Sequence, residues 1–315
     1  MDSGTQDVVS VAMETTYGTA VTPTTSIPIN PSDGLQVKQD VNAVESIKGT
    51  LPKNKLMYHG KTGFEGAFEM ASYPSAIGFF LKSAFGAIAD TTLEASTSYK
   101  HTFTEASPKP GMTLEQKIGG SITKRFSGAL VKALKLTGKA GDLITLHADM
   151  LAKGQADATA ITASFASLRP FNFADIATLS IAGTDIKGKI DSFEIDYDNA
   201  TQMFYGLGST SPQDRYSKGS TVKGKLETFV DSATATYLAD LIAGTERTLI
   251  LDIVGDSFGA TSHYELKVTI SQCNFTSVKT PIKNDYNAMT IEFEAREDAT
   301  NGLIKVELTN GVTTY

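Results

Sequence analysis

The chain has 315 residues, of which 41% are apolar and 20% are charged. This composition fits soluble globular domains, not a disordered chain or a membrane protein, and the length suits two domains of about 150 residues. The formal net charge of −7 argues against a protein that grips nucleic acid through its phosphates, because like charges repel.

Cysteine and histidine usage excludes other classes. The single Cys273 cannot form an internal disulfide, and the four histidines lack the spacing of a zinc site. We therefore expect no metal and no cofactor. The first residues, MDSGTQD, lack the features of a secretory signal, so we expect synthesis in the cytoplasm. The most apolar stretch, Pro74 to Ala89, is too short to span a bilayer and contains Lys82.

Alternation of apolar and polar residues predicts a mainly β chain. The predicted strands, in chain order, are Gly63–Ala71, Leu130–Leu136, Leu143–Leu151, Phe193–Tyr197, Thr221–Thr228, Thr248–Val254, Tyr264–Ile270, Met289–Ala295 and Ile304–Leu308. Apolar residues at three- and four-residue steps predict one helix in each half, from Ile77 to Ile88 and from Ser232 to Ala243. The run Gly138 to Gly141 between two strands predicts a hairpin.

The two halves of the sequence resemble each other. An offset of 158 residues (198 − 40) pairs Asp40 with Asp198, Tyr58 with Tyr216, Gly66 with Gly224, Glu69 with Glu227 and Gly86 with Gly244, and also Leu35 with Phe193 and Val37 with Ile195. After the helix the offset falls to 135 (248 − 113). The first half therefore carries an insert of about 23 residues (158 − 135), residues 89–111, which we expect to be a loop with at most a small hairpin.

These patterns predict a duplicated sheet-rich module with one helix. We interpret residues 1–25 as an N-terminal arm that orders against a neighbouring chain, residues 26–154 as the first domain and residues 176–315 as the second. Residues 155–175, rich in Ala, Thr and Ser, are interpreted as the linker.

Two short motifs resemble catalytic sites in the wrong context. Ser257 matches the G-x-S-x-G pattern, but a predicted strand follows it where a hydrolase has a helix. The segment Gly219 to Leu226 resembles a phosphate loop, but Leu226 stands where a Ser or Thr should hold magnesium. We expect no enzyme, and catalysis by Ser257 is the least favoured alternative.

Three carboxylates, Glu194, Asp196 and Asp198, lie on one face of a predicted strand. Such a cluster can bind calcium or supply an acid and a base. A solvated strand face is the simpler interpretation, and a third interpretation follows from a family resemblance.

Three stretches resemble the major tail tube proteins of long-tailed bacteriophages, in the group with two tandem tube domains. They are ETTYGTAVTPT at 14–24, LSIAGTDI at 179–186, and Pro212-Gln-Asp214 before Gly219, Val222 and Gly224. The resemblance implies tandem β-sandwich domains with one flanking helix each, whose inner strands form a shared β-barrel in the oligomer. It also implies homotrimeric rings with pseudo-sixfold symmetry.

The function implied by the resemblance is structural. Stacked rings would form the tail tube of the virion, through which genomic DNA is ejected, after synthesis in the host cytoplasm. The implied partners are other copies of the chain, the tape measure protein, tail terminator or tail-tip proteins, and transiently passing DNA, with no membrane. The alternative is another β-rich structural or binding module, such as an adhesin, a carbohydrate binder or a secretion-system tube.

Two sets of residues follow as site candidates. Residues 1–157 hold 15 basic and 15 acidic residues, whereas residues 158–315 hold 13 (28 − 15) and 20 (35 − 15), so the excess negative charge lies in the second half. An acidic lumen would repel DNA, and the lumen-facing candidates are Glu194, Asp196, Asp198, Glu292 and Glu294. Apolar residues in the long loops 42–62 and 199–220 are candidates for ring stacking or for packing on their own domain: Leu56, Met57, Tyr58, Met203, Phe204, Tyr205 and Tyr216.

Overall fold

A computed structural model of the chain describes all residues except 1–6, 31–33, 46–53, 96, 120–121, 160, 167–168, 232–233, 235 and 284–285. The start of the predicted arm, the middle of the loop 42–62 and part of the predicted linker therefore lie outside the described residues.

The described part of the first half contains ten strands and one α-helix. They are β1 (Val8–Met13), β2 (Thr25–Ile27), β3 (Gly34–Glu45), β4 (Asn54–Ala71), α1 (Ile77–Phe85), β5 (Gly86–Glu94), β6 (Ser98–Glu105), β7 (Met112–Ile118), β8 (Ile122–Lys139), β9 (Thr145–Ala152) and β10 (Gly154–Asp157). Alternation explains β4, where Phe64 and Phe68 are buried while Glu65 and Glu69 are exposed.

The described part of the second half contains eleven strands and one α-helix, with two short 3-10 turns (Phe173–Asp175 and Lys187–Lys189). The elements are β11 (Ile176–Ile181), β12 (Thr184–Asp185), β13 (Ile190–Asp198), β14 (Thr201–Phe204), β15 (Asp214–Ser217), β16 (Thr221–Phe229), α2 (Thr236–Ala243), β17 (Arg247–Ser257), β18 (His263–Lys279), β19 (Ile282–Lys283), β20 (Tyr286–Arg296) and β21 (Lys305–Asn310). The prediction of a mainly β chain with one helix in each half is confirmed.

Eight strands form one continuous antiparallel sheet, the inner sheet, across both halves. Their order is β3-β4-β9-β8-β13-β16-β20-β18. The halves are joined by β8 and β13, whose pairing runs from Ala133 opposite Asp198 to Lys139 opposite Ser192. The inner sheet is therefore the element that holds the two halves together.

The second half repeats the strand order of the first. The series β3-β4-β9-β8 is followed by β13-β16-β20-β18, with the same antiparallel pairings. The irregularities of pairing recur as well. The register shifts between Val131 and Ala133 in β8, and it shifts between Phe275 and Ser277 in β18. Bulges at matching positions bend the matching strands in the same way.

Strand pairing corrects the offset for the first strand of each series. Gly66 lies opposite Leu35 and Gly224 lies opposite Ile195, so Leu35 corresponds to Ile195, not to Phe193. A Cβ on Gly66 would lie 1.9 Å from the carbonyl oxygen of Gly34, and one on Gly224 would lie 2.6 Å from that of Glu194. The connection after β13 is two residues shorter than that after β3, and a shift of two leaves every side chain on its predicted face.

Each half also has an outer sheet. One long strand in each half, β8 or β18, belongs to both the outer and the inner sheet. The first outer sheet has the order β2-β1-β7-β8-β10, and the second has the order β12-β11-β17-β18-β21. Apolar side chains from both sheets and from α1 pack in one core. Two packed layers bury the apolar face of each sheet.

The outer sheets differ from the sequence expectations in two places. Residues 8–13, expected to order against a neighbouring chain, form β1 and pair with β7, burying Val9 and Val11 in their own half. The insert at 89–111 contains most of the β5–β6 hairpin, and β6 pairs with β21. The insert therefore extends the outer sheet of the second half, a contact between distant residues that no local pattern indicates.

Candidate assembly interface

Strand β3 forms one edge of the inner sheet. It pairs with β4 on one side and with no other strand among those described. Val37 and Val41 on this strand are 54% and 57% exposed. An exposed strand edge that carries apolar side chains is a surface on which another strand can pair.

The second half of β18 forms the opposite edge. Residues 122–129 of β8 belong to the first outer sheet, and residues 133–139 lie between β9 and β13. Residues 274–279 of β18 lie in the corresponding inner position, but among the described strands they pair only with β20. One edge of the inner sheet is therefore β18, the counterpart of β8. The other edge is β3, the counterpart of β13.

The candidate acids share the polar face of the inner sheet with lysines. Asp196 lies between Lys135 and Lys223, and Glu194 lies opposite Lys225. The Nζ–carboxylate distances of these acids are 2.9 Å for Lys135–Glu194, 3.3 Å for Lys135–Asp196, 3.4 Å for Lys279–Glu292 and 3.9 Å for Lys223–Glu294. The face is a lattice of opposite charges, not a purely acidic surface.

The electrostatics of this face centre on Lys135. Its hydrogen bond to Glu194 raises the pKa of the ammonium group. Partial burial raises the pKa of the Asp196 carboxyl, although Lys135 acts in the opposite direction. Exposed ion pairs of this kind stabilise a fold by only about 0–1 kcal/mol each, so the lattice sets the charge pattern of the face more than it sets stability.

The two candidate stacking loops have different structures. The β3–β4 hairpin carries Leu56, Met57 and Tyr58, each more than half exposed. In the second half, the chain leaves the inner sheet at Asp198, and Ala200 has a φ of 46°. The β14–β15 hairpin that follows is a separate two-stranded sheet.

The β14–β15 hairpin packs against the first half of the chain. The guanidinium carbon of Arg215 lies 3.7 Å from the ring centroid of Tyr17, whose hydroxyl lies 3.5 Å from the sulfur of Met203. Lys61 lies over the Tyr205 ring at 5.0 Å. Met203 and Tyr205 therefore make contacts within the chain, while Phe204 and Tyr216 are about half exposed.

The catalytic-looking motifs lie in β-hairpins. Ser257 ends β17 opposite His263 at the start of β18, and the Nδ1 atom of His263 lies 3.2 Å from the carbonyl oxygen of Gly255. The segment after Gly219 opens β16, as predicted, and not a helix. In the part of the chain that the structure describes, no group of three His, Cys, Asp or Glu residues could hold a metal ion.

Sequence reasoning missed the free edge of β18 and the lysines that pair with the acids. Alternation in one strand shows which of its own residues share a face, but it does not show which strand lies beside it. Lys135 and Lys223 alternate correctly within their own strands, so their position beside Asp196 depends on the order of the sheet.

Comparison with known proteins gives a family. No curated protein matches the chain, and no described helix is long and apolar enough to cross a membrane. A family model described as "Phage tail tube protein" matches residues 4–302, nearly the whole chain. With a mainly β structure of large sheets and two short α-helices among the described residues, this chain belongs to the phage tail tube protein family.

Proposed function

We propose that the chain assembles into rings of three copies and that the rings stack into the tail tube of a virion. Membership of the family supports a structural protein that self-assembles in the phage tail. The number of copies in a ring, the stacking contacts and the passage of DNA go beyond what membership of the family shows.

The observation that carries the proposal is the inner sheet with its two open edges. Within the chain, the last strand of the first series, β8, pairs with the first strand of the second, β13. Because β18 is the counterpart of β8 and β3 is the counterpart of β13, the open edge of β18 would pair with β3 of a second copy in the same way. Head-to-tail contacts of this kind close into a ring when the rotation permits, and closure leaves no exposed edge.

The repeat explains a ring of three. Each copy supplies two equivalent four-stranded series to the wall, so three copies supply six, in a closed β-barrel of 24 strands (3 × 8). In this proposal the two series are the tube domains at 26–154 and 176–315, joined through residues 155–175. Because β1 (Val8–Met13) pairs with β7, residues 8–13 add to the first of these domains.

The polar face of the inner sheet is proposed to line the lumen, because the apolar face is buried in the core. Acids and lysines alternate on this face, so DNA phosphates would meet no continuous positive stripe on which to bind. A wall that neither grips DNA nor presents an apolar surface suits a conduit for DNA ejection.

The exposed hairpin residues Leu56, Met57 and Tyr58 are proposed to contact the next ring in the stack, together with Phe204 and Tyr216. The contacts of Met203 and Tyr205 within the chain fit a role in holding their hairpin in place. At its ends the tube would meet the tail terminator and tail-tip proteins, and during assembly it would enclose the tape measure protein. Synthesis would take place in the host cytoplasm.

Negative-stain electron microscopy of the concentrated, purified chain tests the proposal. We expect rings or hollow tubes whose class averages show six similar lobes for every three chains. A chain that stays monomeric at all concentrations, with tail assembly in the phage unaffected by its loss, would refute the proposed function.

A further inference from the structure

Helix α1 is buried on two sides, one of them by the other half of the chain. Phe80 packs in the core of the first half and is fully buried. Leu81 and Phe85, one turn apart, line an apolar cavity together with Leu266 and Val268 of β18. The second half of the chain therefore covers the stripe formed by Leu81 and Phe85.

Helix α2 has the same stripe, but it is uncovered. Tyr237 is buried and meets Phe275 edge-to-face, with ring centroids 5.6 Å apart. By burial, Tyr237 takes the place of Phe80, an offset of 157 (237 − 80), one less than the offset that pairs Gly86 with Gly244. Leu238 and Ile242 then occupy the positions of Leu81 and Phe85, and they are 46% and 81% exposed. Exposed aliphatic side chains one helical turn apart form an apolar stripe that favours a partner.

Two of the residues that cover α1 have exposed apolar counterparts in the first half. Tyr197 of β13 stacks on Phe85 with ring centroids 4.5 Å apart. Its counterpart is Val37 of β3, because Val37 lies opposite Phe64 as Tyr197 lies opposite Val222.

The second counterpart lies in the outer sheet. Leu266 of β18 is buried against α1, and it lies nine residues (275 − 266) before the bulge in its strand. Ile122 lies nine residues (131 − 122) before the matching bulge in β8, and it is 51% exposed. Four exposed aliphatic residues thus occupy positions that are buried in the contact between the two halves.

We propose that Leu238 and Ile242 of α2 form a socket that receives Val37 and Ile122 of a second copy in the same ring. This inference rests on the proposed ring. It also sets the register in which the open edges pair. Val37 of one copy lies opposite Val278 of the next, just as their counterparts Tyr197 and Leu134 lie opposite each other within the chain. The contact between copies repeats the contact between the halves.

One polar contact agrees with this register. The side-chain amide of Asn199 donates to the carbonyl oxygens of Ala84 and Val131, at 3.3 and 2.8 Å. Gln39 is the counterpart of Asn199 by the same two-residue correction. Gln39 of the second copy therefore brings an amide to the equivalent place beside α2 of the first copy.

The substitution Ile242→Asp tests the socket. Because Ile242 is exposed in the single chain, we expect thermal unfolding of the monomer to be unchanged and tube formation to be lost. The matched control is Leu93→Asp, which makes the same kind of change at an exposed leucine on β5, outside the socket. Tubes formed by Ile242→Asp with the yield of Leu93→Asp would overturn the proposal.

Disulfide trapping tests the pairing of residues directly. Burial raises the pKa of the only native thiol, Cys273, to about 12, so it does not compete. In the double variant Val37→Cys with Ile242→Cys, oxidation of assembled protein should give covalent multimers on a non-reducing gel, whereas neither single variant should. Tubes without multimers would refute the socket and leave the proposed function standing, whereas a wild-type chain that forms no rings would refute both.

Discussion

At the residue scale, Glu94 joins the β5–β6 insert to the second half of the chain. Its carboxylate accepts hydrogen bonds from the backbone N–H groups of Ala260 and Thr261, at 2.9 and 2.8 Å, and from the Ser262 hydroxyl at 2.7 Å. These donors lower the pKa of Glu94 from 4.5 to about 2, with the Ser262 hydroxyl as the largest cause. Hydrogen bonds to the charged form favour ionisation.

This pKa predicts a pH dependence of stability. A carboxyl whose pKa is lower in the folded state stabilises the fold fully above 4.5, and it loses that contribution as the pH falls to about 2. The variant Glu94→Gln should therefore lose less stability than the wild type over this interval. Urea unfolding of the monomer at the two ends of the interval measures the difference, and equal losses would show that Glu94 carries no such linkage.

At the element scale, β1 is part of the fold of its own half. It pairs over six residues with β7 and over three with β2, and Val9, Ser10 and Val11 are buried. A strand with these contacts stabilises the single chain as well as any assembly built from it. This differs from an arm that orders only against a neighbour.

Val11→Ala tests this role of β1. Removal of buried methyl groups costs about 2 kcal/mol of unfolding free energy. Val41→Ala is the same chemical change on the exposed edge strand β3, and it should cost close to nothing in the monomer. If chemical denaturation gives equal values for both variants, β1 does not contribute to the fold of the single chain.

The two hairpins show how one sequence pattern gives two local structures. Tyr58 and Tyr216 align in the repeat, but β3 and β4 continue as a long ribbon, whereas β13 ends at Asp198 and a separate hairpin begins. In the second half, Asn199 is fully buried and its side chain donates to backbone carbonyl oxygens of the first half. Among the described residues of the single chain, the edge strand β3 has no such neighbour.

At the scale of the whole molecule, the charge lattice of the inner sheet makes DNA passage testable. The double reversal Glu194→Lys with Glu292→Lys changes the charge of each chain by +4 and removes the closer of the two partners of Lys135 and the partner of Lys279. If this face lines the lumen, the added positive charge should hold phosphates and slow DNA ejection several-fold, less so at high salt.

DNA release from triggered virions, followed with a DNA-binding dye, measures this effect. The matched control is Glu246→Lys with Glu297→Lys, which changes the charge equally at residues outside the inner sheet. Equal ejection rates for the two double variants, in virions with normal tails, would show that Glu194 and Glu292 do not face the DNA.

Much of the fold could be predicted because its signals are local. The alternation over Gly63–Ala71 lies within β4, the spacing from Ile77 corresponds to α1, and Gly138 to Gly141 lies at the turn from β8 to β9. The edges, the socket and the ion pairs could not be predicted in the same way. Each of them joins residues that lie far apart in sequence, such as Lys135 with Glu194.

The sequence by itself determined the duplication, the fold class and the face on which each side chain lies, because backbone geometry turns a local pattern of two or 3.6 residues into a face. Only the tertiary structure decided which strands are neighbours, where the sheet remains open, and that the stripe covered on α1 is bare on α2. The reason is that strand neighbours are selected by the packing of whole sheets, which no local stretch of residues encodes.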